Sequence, residues 1–443
     1  MLTVPFNLQS KPVDPKEQGA KLQLFSQLLS DCRFTFVPPN YKSMAVRQIG
    51  IIRERKTPPD FRVPLSPKQC VDLMKNYPVK VVVEPSPIRV FQDVEYEQLG
   101  IELSEDLSQC DVLLGVKEVP PERLIEGKHY FFFSHTIKEQ PYNRNLLRSI
   151  LERKVTLTDW ECLEHNAMRL IGFGRYAGIV GAYNGIKAYG LRYELFELPP
   201  VNELTSLVEM KKYISKVKLP PVKIVLTGRG KVAHGAMETL AMAHVDQVSV
   251  EEFLNNAFDE PVYVQLDIAD YNKKADGGEF ERYEFYRRPD LYVSNFQKYT
   301  EVADVFIAGH FWGEGAPSFF TEEEAKSPHF NIKVVADISC DIDGPIASTI
   351  RASTIDDPIY GFDRQSGTEV KFNAPGSITV MAVDNLPAEL PLDASEGFGE
   401  QFLDSILPEL MKPHSDVIEN ATISRNGQLT KNFSYLQSYV EGR

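Results

Sequence analysis

The 443-residue sequence is 43% hydrophobic and carries a net charge of −14. That length provides for two or three domains with substantial cores. The acidic balance argues against nucleic acid or an anionic membrane surface as a partner. No apolar stretch approaches the ~20 residues that span a bilayer, and no signal-peptide pattern opens the sequence. The five cysteines (Cys32, Cys70, Cys110, Cys162 and Cys340) are scattered and odd in number, which suits a reducing cytoplasm better than a disulfide framework. Eight dispersed histidines show no ligand spacing, so no metal site is expected.

Residues 1–45 are polar and proline-punctuated, with one amphipathic stretch around Lys16–Leu29. They read as an N-terminal extension, either disordered or docking that helix on a neighbour, and Met44 is an alternative start. Strands and helices then alternate. Gln48–Arg53 reads as a strand, Ser66–Asn76 as a helix opened by Ser-Pro, Val79–Glu84 as a strand and Asp93–Leu99 as a helix. Asp111–Val116, Tyr130–Ser134 and Lys154–Thr158 come next as strands, an alternation that predicts βαβ units on a parallel sheet. Gly174–Gly190, rich in small residues, predicts a buried, closely packed helix at a domain junction. Leu204–Lys216 is a helical piece between two Pro-Pro pairs. A second block has strands at Lys223–Thr227, Gln247–Val250, Val305–Ala308, Lys333–Ile338 and Ile378–Val383, interrupted by an irregular excursion over Asp267–Pro289. Glu396–Met411 reads as a helix and the polar tail as helical.

Two apolar runs end in chemically capable residues. Asp111–Val116 stops at Lys117-Glu118, and Tyr130–Ser134 stops at His135. Sequential parallel strands would set Lys117 and His135 on one rim, where ligands of open α/β sheets bind. A lysine and an imidazole facing one cleft make a proton-transfer pair. The plainer alternative is two solvated residues at strand ends.

Lys223–Thr227 runs into Gly228-Arg229-Gly230-Lys231-Val232-Ala233 and a helical pattern. A strand, a glycine turn and a helix N-terminus form the dinucleotide fingerprint: Gly228 for the tight turn, Gly230 for close approach to the pyrophosphate, Ala233 with Gly235 for a helix lying close to the sheet. Ser249 falls where an acid would grip the adenosine ribose, with Glu251 and Glu252 beyond it, so NAD and NADP both remain open.

Arg62 precedes Val-Pro-Leu-Ser-Pro at a helix entry and suits bidentate capture of a carboxylate, against the alternative of a surface arginine. Glu161 and Arg169 sit among apolar residues, either as a mutual ion pair or facing the cleft. Asp337, Asp341 and Asp343 crowd the end of a buried strand; the loop lacks an EF-hand pattern, and a carboxylate on the nicotinamide-facing rim is the expected role.

These segments resemble the alanine dehydrogenase and pyridine nucleotide transhydrogenase superfamily. Within it they are most similar to lysine-forming saccharopine dehydrogenases and the lysine–2-oxoglutarate reductase domain of bifunctional lysine-degrading enzymes. The resemblance is carried by Gly50–Ser66, Leu114–Pro120, Tyr130–Gln140, Asp159–Ala177, Thr227–Ala236, Ile307–Pro317, Asp337–Pro345 and Val383–Gly399. It implies that Lys117 and His135 are the acid–base pair and that Arg62 and Arg169 bind carboxylates. It also implies that Glu118, Glu161 and Lys138 tune the charge of the pair, Lys138 on the substrate side, and that Asp337 or Asp341 lies near the nicotinamide. Two departures stand out: Pro391-Leu392-Asp393, where the reductase pattern tends to Pro-Arg-Glu, and Ser249, acidic in strict NAD users.

The expected architecture is α/β, with two Rossmann-like domains of parallel sheets flanked by helices and the active site in the cleft between them. Residues 46–172 with 386–443 would form the substrate domain, and 173–385 the dinucleotide domain. Gly228, Arg229, Gly230, Val232, Ala233, Ser249, Asp337 and Asp341 would hold the cofactor. The implied reaction is the reversible reductive condensation of lysine with 2-oxoglutarate to saccharopine, using NAD or NADP. The alternatives are reductive amination of a small 2-oxo acid, as in alanine dehydrogenase, and a nucleotide-sensing protein without turnover. Small molecules are the expected partners; the oligomeric state is not legible.

Overall fold

The computed structural model describes residues 47–443 apart from Ala167, Glu314 and Asp343. The N-terminal extension therefore lies outside the described residues. The first block contributes strands β1 (Gln48–Ile51), β2 (Lys80–Val83), β3 (Glu102–Leu103), β4 (Val112–Leu114), β5 (His129–Phe132) and β6 (Thr156–Asp159), with helices α1 (Pro67–Asn76) and α2 (Arg144–Glu152) between them. Ser66 caps α1 with a reciprocal Ser66–Gln69 box, as a Ser-Pro start favours. Helix α3 (Gly174–Arg192) then crosses to the second block. Its strands are β7 (Lys223–Thr227), β8 (Asp246–Gln247), β9 (Val262–Leu266), β10 (Val305–Ala308), β11 (Val334–Asp337), β12 (Ile359–Asp363), β13 (Glu369–Val370) and β14 (Ser377–Met381), with helix α4 (Lys231–Met242) after β7. Helix α5 (Pro391–Gln401) leads through a π-helical turn, Phe402–Ile406, to strands β15 (Thr422–Arg425) and β16 (Gln428–Leu429).

Two eight-stranded sheets result, in the orders β16-β15-β6-β5-β4-β1-β2-β3 and β8-β9-β7-β10-β11-β14-β12-β13. Their centres are parallel. In the first, Ile51 pairs with Leu114, Leu114 with Phe131 and Phe132 with Asp159, so the strand ends that precede Lys117, His135 and Glu161 share one rim. In the second, Thr227 pairs with both Leu266 and Ala308.

Several expectations need correction. The sheets are not wholly parallel: β15 runs antiparallel to β6, and β12 antiparallel to β14. The tail thus adds a hairpin before its short helix. Gln247–Val250 is not a strand beyond Gln247; Ser249 and Glu252 form a capping box that starts the helix Val250–Asn255. The sheet neighbour of β7 is instead β9, whose Val-Tyr-Val-Gln-Leu run has strand character. The Asp267–Pro289 excursion is ordered: it holds two short helices and one strand of a hairpin, Asn272–Lys274 with Tyr292–Ser294.

Helix α3 shows why its small residues are there. It is buried on nearly all sides, with Ile179, Val180, Tyr183 and Ile186 in the second core. A Cβ on Gly178 would fall 1.8 Å from the Val232 carbonyl, and one on Gly235 1.9 Å from the Arg175 carbonyl. Helices α3 and α4 therefore meet backbone to backbone. The expected role of Gly235 shifts accordingly: it admits a neighbouring helix rather than the sheet, while Ala233 lies against Gly309 at the sheet end. On the first block, Trp160 packs edge-on against Phe398 and Phe402, and Phe173 stacks on Phe398 at 4.6 Å, so the C-terminal helices cover that core. Burying each such ring is worth ~1.5–3 kcal/mol.

Candidate active site

The rim of the first sheet gathers cations, each beside a carboxylate that fixes it or shifts it. Lys117 lies three residues past β4, and burial, with the Arg62 charge close by, lowers its amine to about 8. Beneath it Glu54 accepts from the backbone N–H of Val116 at 2.7 Å and of Lys117 at 2.9 Å, which ties the Lys117 turn to the end of β1. Burial and the neighbouring Asp60 push Glu54 up to about 8 against those two hydrogen bonds.

His135 stands in the left-handed region at φ 53°, three residues past the end of β5 and directly after Ser134. Asp159 positions this turn: it is fully buried and accepts from the Ser134 N–H at 2.9 Å, the Ser134 hydroxyl at 2.5 Å and the Glu161 N–H at 2.8 Å. His135 Nδ1 lies 2.6 Å from Glu118 Oε1, and Lys56 donates to the same carboxylate at 3.0 Å. Burial alone would raise Glu118; the His135 hydrogen bond and charge outweigh it and hold the carboxyl at about 2. A neighbouring carboxylate orients the ring and leaves Nε2 for chemistry. An amine near 8 and an oriented imidazole in one cleft can relay protons at neutral pH.

Arg62 does not present the free fork expected of it. Its Nε and Nη2 edge is taken by Asp60 at 2.9 and 2.5 Å, Nη2 also donates to Asn385 at 3.0 Å, and the guanidinium sits 4.3 Å over the Phe173 ring. Only 2% of Arg62 is exposed. The Arg62 charge in turn holds Asp60 at about 2, against the burial that would raise it. Arg169 is half-exposed, on a short hairpin, and reaches Glu161 at 3.2 Å. Its carbonyl accepts from Lys231 at 3.2 Å, so the first turn of α4 touches this rim.

The two carboxylates at the end of β11, Asp337 and Asp341, separate cleanly. Asp337 is fully buried and saturated by the N–H groups of Ser339 and Cys340 and the hydroxyls of Ser339 and Thr349, so it holds its own turn instead of facing the cleft. Asp341 is half-buried; burial and the Asp337 charge raise it, and the positive charge of Lys138 from the opposite rim pulls it back.

The dinucleotide fingerprint has the geometry its glycines require. Gly228 adopts φ +100°, and a Cβ there would lie 2.5 Å from the Gly309 carbonyl. Gly230 caps α4 with open space around it. The first intrahelical bond of α4 is donated by His234, so among the described residues the N–H groups of Lys231, Val232 and Ala233 have no partner at the helix N-terminus. This is the cradle a pyrophosphate needs.

Ser249 is not at the ribose position: its hydroxyl donates to Glu252 at 2.7 Å and caps its own helix. The acid that ends the strand beside β7 is Asp267, one residue past β9. Arg282 donates to it at 2.8 and 2.9 Å, and Arg229 Nη1 stands 3.6 Å away. Asp267, Glu54, Asp60 and Asn385 were not singled out by sequence reasoning. The S-x-x-E pattern at Ser249–Glu252 was the signal that moves the strand, and hence the acid, to Asp267.

Among the described residues no group of three or more His, Cys, Asp or Glu side chains converges as a metal site, and no helix is long and apolar enough to cross a membrane.

Residues 50–180 match the family described as alanine dehydrogenase/PNT, N-terminal domain. The chain is 30% identical over 437 residues to the mitochondrial alpha-aminoadipic semialdehyde synthase of Bos taurus, an alignment covering 86% of this chain and 46% of that protein. It thus spans about half the length of the curated relatives of that kind. It is 25% identical over 377 residues to the saccharopine dehydrogenase [NAD(+), L-lysine-forming] of Yarrowia lipolytica, covering 80% of this chain and 90% of that one. Among solved structures, an L-alanine dehydrogenase superposes with a TM-score of 0.58 at 17% identity, over 89% of this chain and 99% of the other, which speaks for the fold alone.

Proposed function

Since the chain belongs to the alanine dehydrogenase and pyridine nucleotide transhydrogenase superfamily, in its saccharopine dehydrogenase branch, we propose that it is an oxidoreductase joining lysine to 2-oxoglutarate. The ε-amine of lysine condenses with the ketone, and reduction of the imine gives saccharopine, reversibly. The observation that carries this reading is the pairing of a lysine amine near 8 with a carboxylate-oriented histidine on one rim, opposite the dinucleotide cradle.

In this reading Lys117 and His135 move protons at the carbinolamine oxygen and the bridging nitrogen. Glu118 and Glu161 set the charge around them. Lys138 and Arg169 supply positive charge for the dicarboxylate, with Arg62 contributing its field and one remaining N–H edge. Asp341 faces the nicotinamide end. A dinucleotide, when bound, supplies or accepts the hydride; Gly228, Gly230 and the free N–H groups of Lys231, Val232 and Ala233 would hold its phosphates. The substrate domain comprises 46–172 with 386–443, and the dinucleotide domain 173–385.

We read the cofactor as NADP(H). Around the ribose-end carboxylate of Asp267, Arg282 and Arg229 stand against Asp267 and Asp270, and the exposed Arg229 guanidinium is the group placed to meet a 2′-phosphate. Scattered free thiols suit a reducing compartment, in our reading the cytoplasm.

The test is oxidation of NADPH and NADH, followed by absorbance, with lysine plus 2-oxoglutarate and separately with pyruvate plus ammonium. Lysine-dependent oxidation, faster with NADPH, is expected. Turnover only with pyruvate and ammonium would move the chain to alanine dehydrogenase chemistry. Cofactor binding without turnover of either pair would leave a nucleotide-sensing protein.

A further inference from the structure

Residues 169–173 carry or support both arginines of the first rim. Arg169 begins this stretch, and a Cβ on Gly172 would lie 3.7 Å from its Cδ, so the Arg169 stem runs over Gly172. Phe173 ends it, lying under the Arg62 guanidinium at 4.3 Å and stacked on Phe398 of α5. The chain then enters α3. How these few residues are held therefore decides where the positive charge for a dicarboxylate stands.

Two side chains from outside the first sheet hold them. Lys231, on the first turn of α4, donates through Nζ to the carbonyls of Arg169 at 3.2 Å and Leu170 at 3.4 Å, and to Gln401 Oε1 at 3.0 Å. Gln401, the last residue of α5, donates in turn through Nε2 to the Gly172 carbonyl at 3.0 Å. A Cβ on Gly174 would lie 3.3 Å from the Lys231 Cβ, so the lysine stem is laid along the start of α3. An ammonium, with three rotatable donors on a compact charge, suits a cluster of oxygen acceptors. A cation in the first turn of a helix nevertheless opposes the helix dipole. Lys231 stands there against that field, and its contacts with the 169–172 carbonyls and Gln401 are what offset it.

We infer that Lys231 is a positioning residue for the dicarboxylate: its backbone N–H belongs to the phosphate cradle while its amine holds the stretch that carries Arg169 and underlies Arg62. The inference rests on the two-substrate reading above and adds the residue that links their sites. A phosphate on the N–H groups of Lys231, Val232 and Ala233 fixes the backbone of residue 231. Its side chain, anchored at both ends, then restricts residues 169–172. Order supplied by one ligand need not be supplied by the next, so the two affinities become interdependent. The amine reaches solvent and its acceptors are neutral, which puts the coupling at the low end of what such links achieve, about fivefold.

The experiment is calorimetric titration of 2-oxoglutarate into wild type, Lys231→Met and Gln401→Leu, each alone and with saturating NADP⁺ or, in a separate arm, NAD⁺. Neither an oxidised dinucleotide nor 2-oxoglutarate carries the hydride, so binding is read without turnover. Wild type should bind 2-oxoglutarate about fivefold more tightly with dinucleotide than without it. Lys231→Met keeps the backbone N–H and a stem of similar length, and should bring that ratio to about one. Gln401→Leu removes one acceptor of the amine and the tie to Gly172, and should lower the ratio part of the way, a second route should Lys231→Met fail to fold. A lysine acting only through its charge would weaken 2-oxoglutarate equally with and without dinucleotide; the ratio would then survive in Lys231→Met, which would overturn the inference. A wild-type ratio near one would overturn it too, leaving both binding sites intact. Failure of wild type to bind 2-oxoglutarate, or either dinucleotide, would remove the functional reading itself and the inference with it.

Discussion

The two sheets are built alike, eight strands each with parallel centres, and they load their C-terminal rims in opposite ways. On the first, Lys117, His135, Arg62 and Arg169 stand among Glu54, Asp60, Glu118 and Glu161, and nearly every polar contact there runs from side chain to side chain or from side chain to backbone. On the second, the turn after β7 offers backbone: the positive φ of Gly228, the clear space at Gly230 and three free N–H groups. The charges of that rim are pushed outward, to Asp267 with its arginines, or inward, to Asp337 saturated by its own turn. One rim is arranged to hold protons at chosen positions and the other to accept a ready-made anion. In the proposed reading, a shared architecture divides chemistry from binding by the turn at the end of each strand, which is how one fold supports many activities.

If that division is right, damage to each rim should have its own signature. The largest effect is expected from Lys117→Met, which should cut turnover by ~10²–10⁴-fold while leaving the NADPH dissociation constant unchanged, read by fluorescence titration beside steady-state rates. Equal loss of both would merge the two rims into one functional unit. Next come Arg229→Gln and Arg282→Gln. Each should lower the preference for NADPH over NADH by about tenfold in kcat/KM, with the rate at saturating cofactor held. An unchanged ratio would return Asp267 to a plain ribose acid and the cofactor to NAD.

The smallest effect is a displacement along the pH axis. The Glu118 carboxylate favours the protonated form of Lys117, whose amine loses its proton at about 8. In the direction that needs the free amine, kcat/KM should rise through about pH 8 in wild type. In Glu118→Gln the opposing charge is gone, Lys117 gives up its proton more readily, and the limb should move to lower pH. A limb that stays in place would assign the titration to another group.

The strands that end at Lys117 and His135 were legible because buried parallel strands are apolar runs, and a charged residue after such a run marks its end. The fingerprint was legible because glycine spacing has a backbone meaning. What escaped was non-local. Gln247–Val250 reads from sequence as the neighbour of β7, but the capping box at Ser249 cuts it to an edge pair, and Val262–Leu266 takes the place beside β7. The capture of the Arg62 fork by Asp60, two residues earlier, is a matter of side-chain direction that spacing does not reveal. The choice between Asp337 and Asp341 depends on which of them finds three donors in its own turn and a fourth in the distant Thr349. The C-terminal hairpin escaped because its strands, Thr422–Arg425 and Gln428–Leu429, are short and largely polar.

The close approach of the two helices at Gly178 and Gly235 also bears on how such proteins can be recombined. With carbonyls of one helix lying where side chains of the other would stand, the strand-turn-helix of the fingerprint is not a portable cassette. A chimera that imports a relative's cofactor turn must bring the Gly174–Arg192 helix along with it. The natural unit of exchange is the stretch 174–242, and a breakpoint within the turn's own neighbourhood would join two surfaces never fitted to each other.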